Sequence, residues 1–258
     1  MLDLIRNTYR YRELIWALAL KELKIRYKRS VLGFAWALLN PALLMVVLTL
    51  VFSTLLRFNL PHYAIFLLSV LLPWTFFSQS LSYAVEAIVT NGDLIKKVAV
   101  PKLVFPTAAL VSNLINLLLS MIPLAILVPL MGHPFYWTWA YLPVPLLALG
   151  IFTLGMSFFF AVANVFYRDV SHILQIVLSA WFYLTPIIYP LDAIPPRYHW
   201  LFKLNPIIYV INGFRLAVYY GQLPQAPSIA ASFLCAFISL FIGYTLFRKY
   251  QDSFVFYV

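Results

Sequence analysis

"RYKRSVLGFAWALLNPAL", residues 26–43, sets Arg26, Lys28 and Arg29 directly against an apolar run. From Ser30 to Leu56 there are 27 residues without Asp, Glu, Lys or Arg. A bilayer core of about 30 Å needs about 20 apolar residues in a helix. The run therefore predicts a membrane span over about 31–56, with its charge held at one face. The same test predicts further spans at about 60–85, 104–130, 140–163, 170–191 and 225–247. The 65 uncharged residues 103–167 hold two of these, divided at the turn signal Gly132-His133-Pro134. The expected fold class is an all-α integral membrane protein of six transmembrane helices. Residues 1–258 form one domain with no internal repeat.

Composition agrees. Hydrophobic residues make up 64% of the 258 and charged ones 10%, against roughly a quarter charged in soluble domains. The net charge of +10 does not point to nucleic acid, because the basic residues sit at the ends of apolar runs instead of on one folded face. Cys235 is the single cysteine, so an intrachain disulfide and a cysteine metal cluster are excluded. It reads as a small packing residue. A cleavable signal peptide is not expected, since the first apolar run starts some thirty residues in and is too long for one.

Basic residues orient the spans. With the N-terminus inside, the cytoplasmic segments carry fourteen: eight within 1–30, then Lys96, Lys97, Lys102, Arg168, Arg248 and Lys249. The outer side carries four: Arg57, Arg197, Lys203 and Arg215. Positive loops stay inside, so both termini are expected in the cytoplasm. Ahead of the first span, Trp16, Leu20, Leu23 and Tyr27 recur as one helical stripe, with Lys21, Lys24 and Lys28 on a neighbouring one. That pattern predicts an amphipathic interface helix within 1–30, its lysines toward anionic head groups of membrane lipids. Between Lys203 and Arg215 lie only 11 uncharged residues, "LNPIIYVINGF". They are too few to span, and predict an outer re-entrant segment between helices five and six.

The chemistry of catalysis is sparse. The acids Asp3, Glu13, Glu22, Glu86, Asp93, Asp169, Asp192 and Asp252 all fall outside the predicted span centres. No histidine pair has zinc-ligand spacing, and neither a nucleophile elbow nor a phosphate-binding loop occurs. The chain is expected not to be an enzyme, and if transport is uphill another subunit supplies the energy. Uncharged polar residues remain. In span five His172, Gln175, Ser179 and Tyr183 share a helix face edged by Phe182. Span three offers Asn113, Asn116 and Ser120, span two Ser78, Gln79 and Ser82, and span one Trp36 and Asn40 at i, i+4. Interhelical hydrogen bonding explains any one of these. A polar stripe edged by aromatic rings also suits a wet path for a sugar-like substrate.

Six segments in order resemble the permease subunit of ATP-binding-cassette exporters of the ABC-2 type. They are "RYKRSVLGFAWALLNPAL" (26–43), "LLPWTFFSQSL" (71–81), "VPKLVFPTAALVSNLINLLL" (100–119), "NVFYRDV" (164–170), "LTPIIYPLDAIP" (184–195) and "NPIIYVINGFR" (205–215). The branch they resemble most exports bacterial surface polysaccharides: O-antigen, capsule and teichoic acid. The resemblance implies a homodimer in the bacterial inner membrane with two cytoplasmic ABC ATPase subunits, which would bind ATP and Mg; this chain would hold no cofactor. It implies a lipid-linked glycan moved outward, an interface helix at about 8–28 and re-entrant segments at about 192–215. It also implies a coupling helix within 86–102. There Thr90 or Asn91 suits an N-cap and Asp93 the first turn, and Leu94, Ile95, Lys96 and Lys97 come next. Competing readings are an ion-coupled secondary carrier, a membrane glycosyl- or acyltransferase, and an ABC-2 exporter of a smaller lipo-oligosaccharide or drug. The lack of acids at span centres weighs against the carrier. The want of an acid/base pair or nucleophile weighs against the transferase.

Overall fold

The computed structural model describes residues 2–26, 60–98 and 100–258, with 35, 36, 39, 40, 42–44, 46, 47 and 50. Apart from these last positions, the predicted first span lies outside the described residues, as do Tyr27 and Lys28. Every regular element among the described residues is helical. The N-terminal helices α1 (Leu2–Arg10) and α2 (Arg12–Arg26) meet at Tyr11. The long helix α3 (Tyr63–Thr90) leads through the six-residue α4 (Gly92–Lys97) to α5 (Val104–Leu130). A 3-10 turn, Trp137–Tyr141, feeds α6 (Pro143–Phe166), and α7 (Val170–Tyr183) comes after it. The short α8 (His199–Lys203) and α9 (Pro206–Arg215) precede α10 (Ala226–Tyr250).

Among the described residues, four helices are long and apolar enough to cross a membrane: α3, α5, α6 with its leading turn, and α10 with its 3-10 extension to Phe256. Helices α8 and α9, the latter extended by a π turn to Tyr220, form a broken pair bent by 101°. The chain is thus a multi-pass membrane protein. Helix α3 is the central pillar, packing against α5, α6, α7 and α9. Nineteen of its 28 residues are buried, among them Phe66, Phe76 and Phe77.

The tightest seam joins α6 to α10. Lipid tails are as apolar as leucine, so helices in a bilayer associate by close packing of small residues. A Cβ on Gly155 would lie 2.3 Å from the Ser239 carbonyl carbon, and one on Gly243 would lie 1.9 Å from the Gly155 carbonyl oxygen. Ser239 Oγ donates to Phe152 O at 2.9 Å across the same crossing. The two backbones touch only because neither glycine carries a side chain.

The sequence predicts a fifth span over about 170–191; the helix there stops at Tyr183 and has 14 residues. At 1.5 Å per residue that is about 21 Å, short of a bilayer core. The cause is "TPIIYP". The residue before a proline disfavours the helical region, so Pro186 weakens the helix at Thr185, and the partners of the buried backbone beyond it complete the ending. Beyond Leu184 the backbone is irregular yet buried, with Thr185, Pro186 and Ile187 all inside. Irregular backbone at membrane depth survives only if its polar groups find protein partners. Here they do. Arg215 donates to Pro186 O at 2.7 Å and Ile187 O at 2.9 Å. Tyr63 donates through its hydroxyl to Ile188 O. Asn205 donates to Thr185 Oγ1 at 3.0 Å while accepting from Trp181 Nε1 at 2.9 Å.

Arg215, which the charge count sets on the outer side as if facing solvent, is therefore turned into the bundle. It is 6% exposed, with its guanidinium 4.0 Å from the Phe66 ring centre. The apolar run before Arg215 forms α9, which buries Ile207, Val210, Ile211 and Phe214 against the bundle.

Candidate functional site: a polar seam between α3 and α7

Helix α7 has three sides. Leu174 and Leu178, one turn apart, are its only buried residues. A second side carries His172, Gln175, Ser179 and Tyr183, all exposed, Tyr183 by 67%. The third, also open, is apolar: Ile173, Ile176, Val177 and Leu184. The polar side faces a matching stripe on α3. Gln175 Nε2 donates to Ser82 Oγ at 3.0 Å, which in turn donates to Ser78 O at 2.9 Å. Ser78 Oγ donates to Thr75 O, and Ser179 Oγ to Gln175 O at 2.9 Å. Gln79, Tyr83 and Glu86 continue the exposed side of α3.

The seam joins the polar residues of spans two and five that the sequence singles out separately. Its hydroxyl protons are committed to their own helix backbone, so each group is satisfied without a ligand. Lone pairs on the serine oxygens and the carboxamide of Gln79 stay available. Such a surface offers many weak, exchangeable contacts to hydroxyl groups and no fixed charge until Glu86 at its end.

Phe182 differs from its expected place. It is half-buried, turned onto α3 with its ring 5.8 Å from that of Trp74, and 5.3 Å from Tyr183. It props α7 against the pillar. Trp36 is half-buried and Asn40 exposed. Of Asn113, Asn116 and Ser120 on α5, Asn113 and Ser120 spend their hydrogen bonds on backbone carbonyls four residues back. They belong to helix packing and stand apart from the seam.

The sequence reading assigns no site role to Asn164 and Arg168, which fix the base of α7. Buried Asn164 donates to Val85 O on α3 at 2.9 Å and accepts from the backbone N–H of Ser171 at 3.2 Å. Arg168 donates to Tyr257 O at 2.6 Å. A polar pair bracketing the uncharged end of a span, as in "NVFYRDV", is the signal that could have marked them.

At the same end lie α2 and α4. The side of α2 against α5 is Ile15, Ala19 and Leu23. This side adjoins the stripe that the sequence marks. Leu23 belongs to the packed side, Leu20 is half-buried, and Trp16 is 53% exposed beside exposed Lys21 and Lys24. Helix α4 begins where the sequence predicts. Asn91, however, sends its side chain backward, donating to Ala87 O at 2.8 Å, and makes no side-chain cap. Ile95 is 7% exposed, in an apolar cluster with Leu4, Ile15 and Val104, and Leu94 is half-buried. Asp93, Lys96 and Lys97 form the exposed side. Among the described residues, no three His, Cys, Asp or Glu side chains gather to hold a metal ion.

A bundle of apolar helices, one of them short and open on two sides with a neutral polar seam, defines a multi-pass membrane protein with a polar face left uncovered. Residues 13–219 match the family model "ABC-2 type transporter", so the chain belongs to that family. It is 35% identical to the O-antigen export system permease protein RfbA of Myxococcus xanthus, over 98% of each chain. It is 31% identical to a protein of the same description from Klebsiella pneumoniae, over 94% of this chain and 93% of that one. To the polysialic acid transport protein KpsM of Escherichia coli it is 28% identical, over 92% and 93%.

Proposed function

We propose that this chain is the membrane-spanning permease of an ATP-driven exporter that moves a lipid-linked surface polysaccharide outward across the bacterial inner membrane. The observation that carries the reading is the uncharged seam of Gln175, Ser179, Ser78 and Ser82, lying open along the protomer. Sugars present hydroxyls at their edges and C–H patches on their faces. A conduit for them needs neutral hydrogen-bonding groups with aromatic rings between, each site weak enough to leave. His172 and Tyr183 lie at the two ends of this path and Phe182 braces it, while Trp36 and Asn40 of the first span form the facing wall. Two copies of the chain enclose the path, which accounts for the open sides of α7. Relatives described as O-antigen and polysialic acid export proteins support the substrate class.

Six spans complete the topology: the first at about 31–56, and the fifth made of α7 with the irregular run to 191. The broken pair α8–α9 is the outer re-entrant segment, and both termini are cytoplasmic. Two ABC ATPase subunits bind ATP and Mg and dock on the exposed side of α4, through Asp93, Lys96 and Lys97. Ile95 and Leu94 anchor α4 to the bundle. Helix α2 lies along the membrane surface, Trp16 and Leu20 toward lipid and Lys21 and Lys24 toward head groups.

The test is export itself. Cells lacking the chain should accumulate a lipid-linked glycan on the cytoplasmic side, identified by mass spectrometry, and the restored gene should clear it while ATP is supplied. Clearance that continues without ATP but stops when ion gradients collapse would replace this reading with an ion-coupled carrier.

A further inference from the structure

The buried fork of Arg215 leaves one donor over. Its Nη1 and Nη2 groups hold Pro186 O and Ile187 O, and the guanidinium carries a further N–H at Nε. That group is buried and has no acceptor among the described residues, on a side chain only 6% exposed. An unpaired donor on a buried charge is costly, and native interiors keep few of them.

Arg215 lines a small recess with Asn212, one turn earlier on α9, and Thr185 of the irregular run. Val70 of α3 and Ile208 and Ile211 of α9 form its apolar walls. Thr185, Val70 and Ile211 are buried, whereas Asn212 and Ile208 are half-buried and stand at the mouth. The centre of a water-sized sphere has about 10 Å³ to occupy there. That is close to the least room one water molecule needs, and a larger guest has too little. Thr185 Oγ1 donates to Trp181 O and accepts from Asn205 Nδ2, which leaves it one lone pair. We propose that the recess binds a single ordered water that accepts from Arg215 Nε–H and donates to Thr185 Oγ1 and Asn212 Oδ1. Buried waters usually make about three such bonds. The water ties α9 to the run that ends α7, and its assignment does not depend on the cargo.

The experiment uses the full chain, purified in detergent. Brief X-ray pulses turn water into hydroxyl radicals, which label the side chains beside it, and mass spectrometry locates the label. Buried Val70 and Ile211 should be labelled in the wild type. After mixing into heavy-oxygen water, the isotope should enter these two positions more slowly than it enters exposed Leu223. In Val70→Ile the added methyl takes the place of the water. Label at Ile211 should fall to background, and the melting temperature should drop because Nε loses its acceptor. A dry recess predicts the opposite sign, since filling a void stabilises. If Val70→Ile does not fold, Asn212→Leu removes one acceptor and closes the mouth, and it too should abolish the label at Ile211. An unlabelled Ile211 in the wild type, label that persists in these variants, or a higher melting temperature in Val70→Ile would overturn the proposal. A melting temperature that follows chloride concentration, with Ile211 unlabelled, would put an anion there instead.

Discussion

Helices α3 and α7 have similar apolar composition and touch along one seam, yet nineteen of 28 residues are buried in the first and two of 14 in the second. The pillar is surrounded by α5, α6, α7 and α9, whereas α7 leans on α3 and, more lightly, on α6. The difference separates two kinds of constraint. Residues of the pillar and of the α6–α10 seam are fixed by neighbours within the chain. Those on the open sides of α7 have few, Gln175 with its bond to Ser82 among them, so most of the constraint on them must come from outside the protomer. Substitutions should divide accordingly, the first group losing the fold and the second losing transport.

The largest effect is expected at the glycine crossing. In Gly243→Ala the new methyl would meet the Gly155 carbonyl at 1.9 Å, and neither backbone can give way without parting the helices. The cost should exceed the roughly 3 kcal/mol upper end usual for overpacking. Membrane-extracted yield of folded protein should fall to background. A normal yield and melting temperature would show that the helices can part there at little cost.

Arg215 comes next. Arg215→Leu strands two carbonyls in an irregular buried segment, a loss of about 2–3 kcal/mol. Arg215→Lys should restore only part, because one ammonium cannot reproduce a two-pronged fork. Melting temperature checks the order wild type, Lys, Leu; equal values for all three would remove Arg215 from the support of α7. On the open helix the sign of the comparison reverses. Ser179→Trp and Tyr183→Ala should each cut glycan export at least tenfold while melting temperature moves by no more than about 2 °C. Loss of folded protein in both would make α7 a second pillar, and full export in both would take this face out of the path.

Legibility in the sequence divides along the same line. Long apolar runs bounded by charge locate α3, α5, α6 and α10 to within a few residues, because span length is set by the bilayer and not by neighbours. The turn at Gly132, with φ of +70°, is legible for a similar local reason. Arg215 is not. A charge count treats each basic residue as solvent-facing, and nothing near "NGFR" reveals that two carbonyls some 28 residues earlier need donors. The stop of α7 at Tyr183 hides for the same cause, since a proline in a membrane helix is compatible with a kink or with an ending, and long-range partners decide. The seam is half legible. Helical period puts Gln175 and Ser179 on one face and Ser78 and Ser82 on another, but only the packing of α7 on α3 brings the two together. On α2 the period is legible but the side packed on the bundle is not, because Ala19 looks neutral in sequence and turns out to be fully buried.

The smallest effect tests the rim beyond both helices, where the chain ahead of α3 meets the α5–α6 turn. His133 is 7% exposed, its ring stacked on Tyr219 at 5.4 Å and edge-on to His62 at 5.3 Å and Tyr136 at 5.6 Å. Burial, opposed by its bond to Pro134 O and aided by the nearby His62, holds its pKa below the usual 6.5. Above pH 6.5 both folded and unfolded chains carry the neutral ring, and its full contribution to stability is present. As pH falls through that value the unfolded chain takes up the proton first, and stability declines until the folded ring is protonated too. Lowering the pH through 6.5 should therefore lower the melting temperature. His133→Gln should melt lower throughout, having lost the ring contacts, but with a flatter pH dependence. If the variant keeps the wild-type slope, the pH sensitivity belongs to another group and the rim is not closed over a neutral histidine.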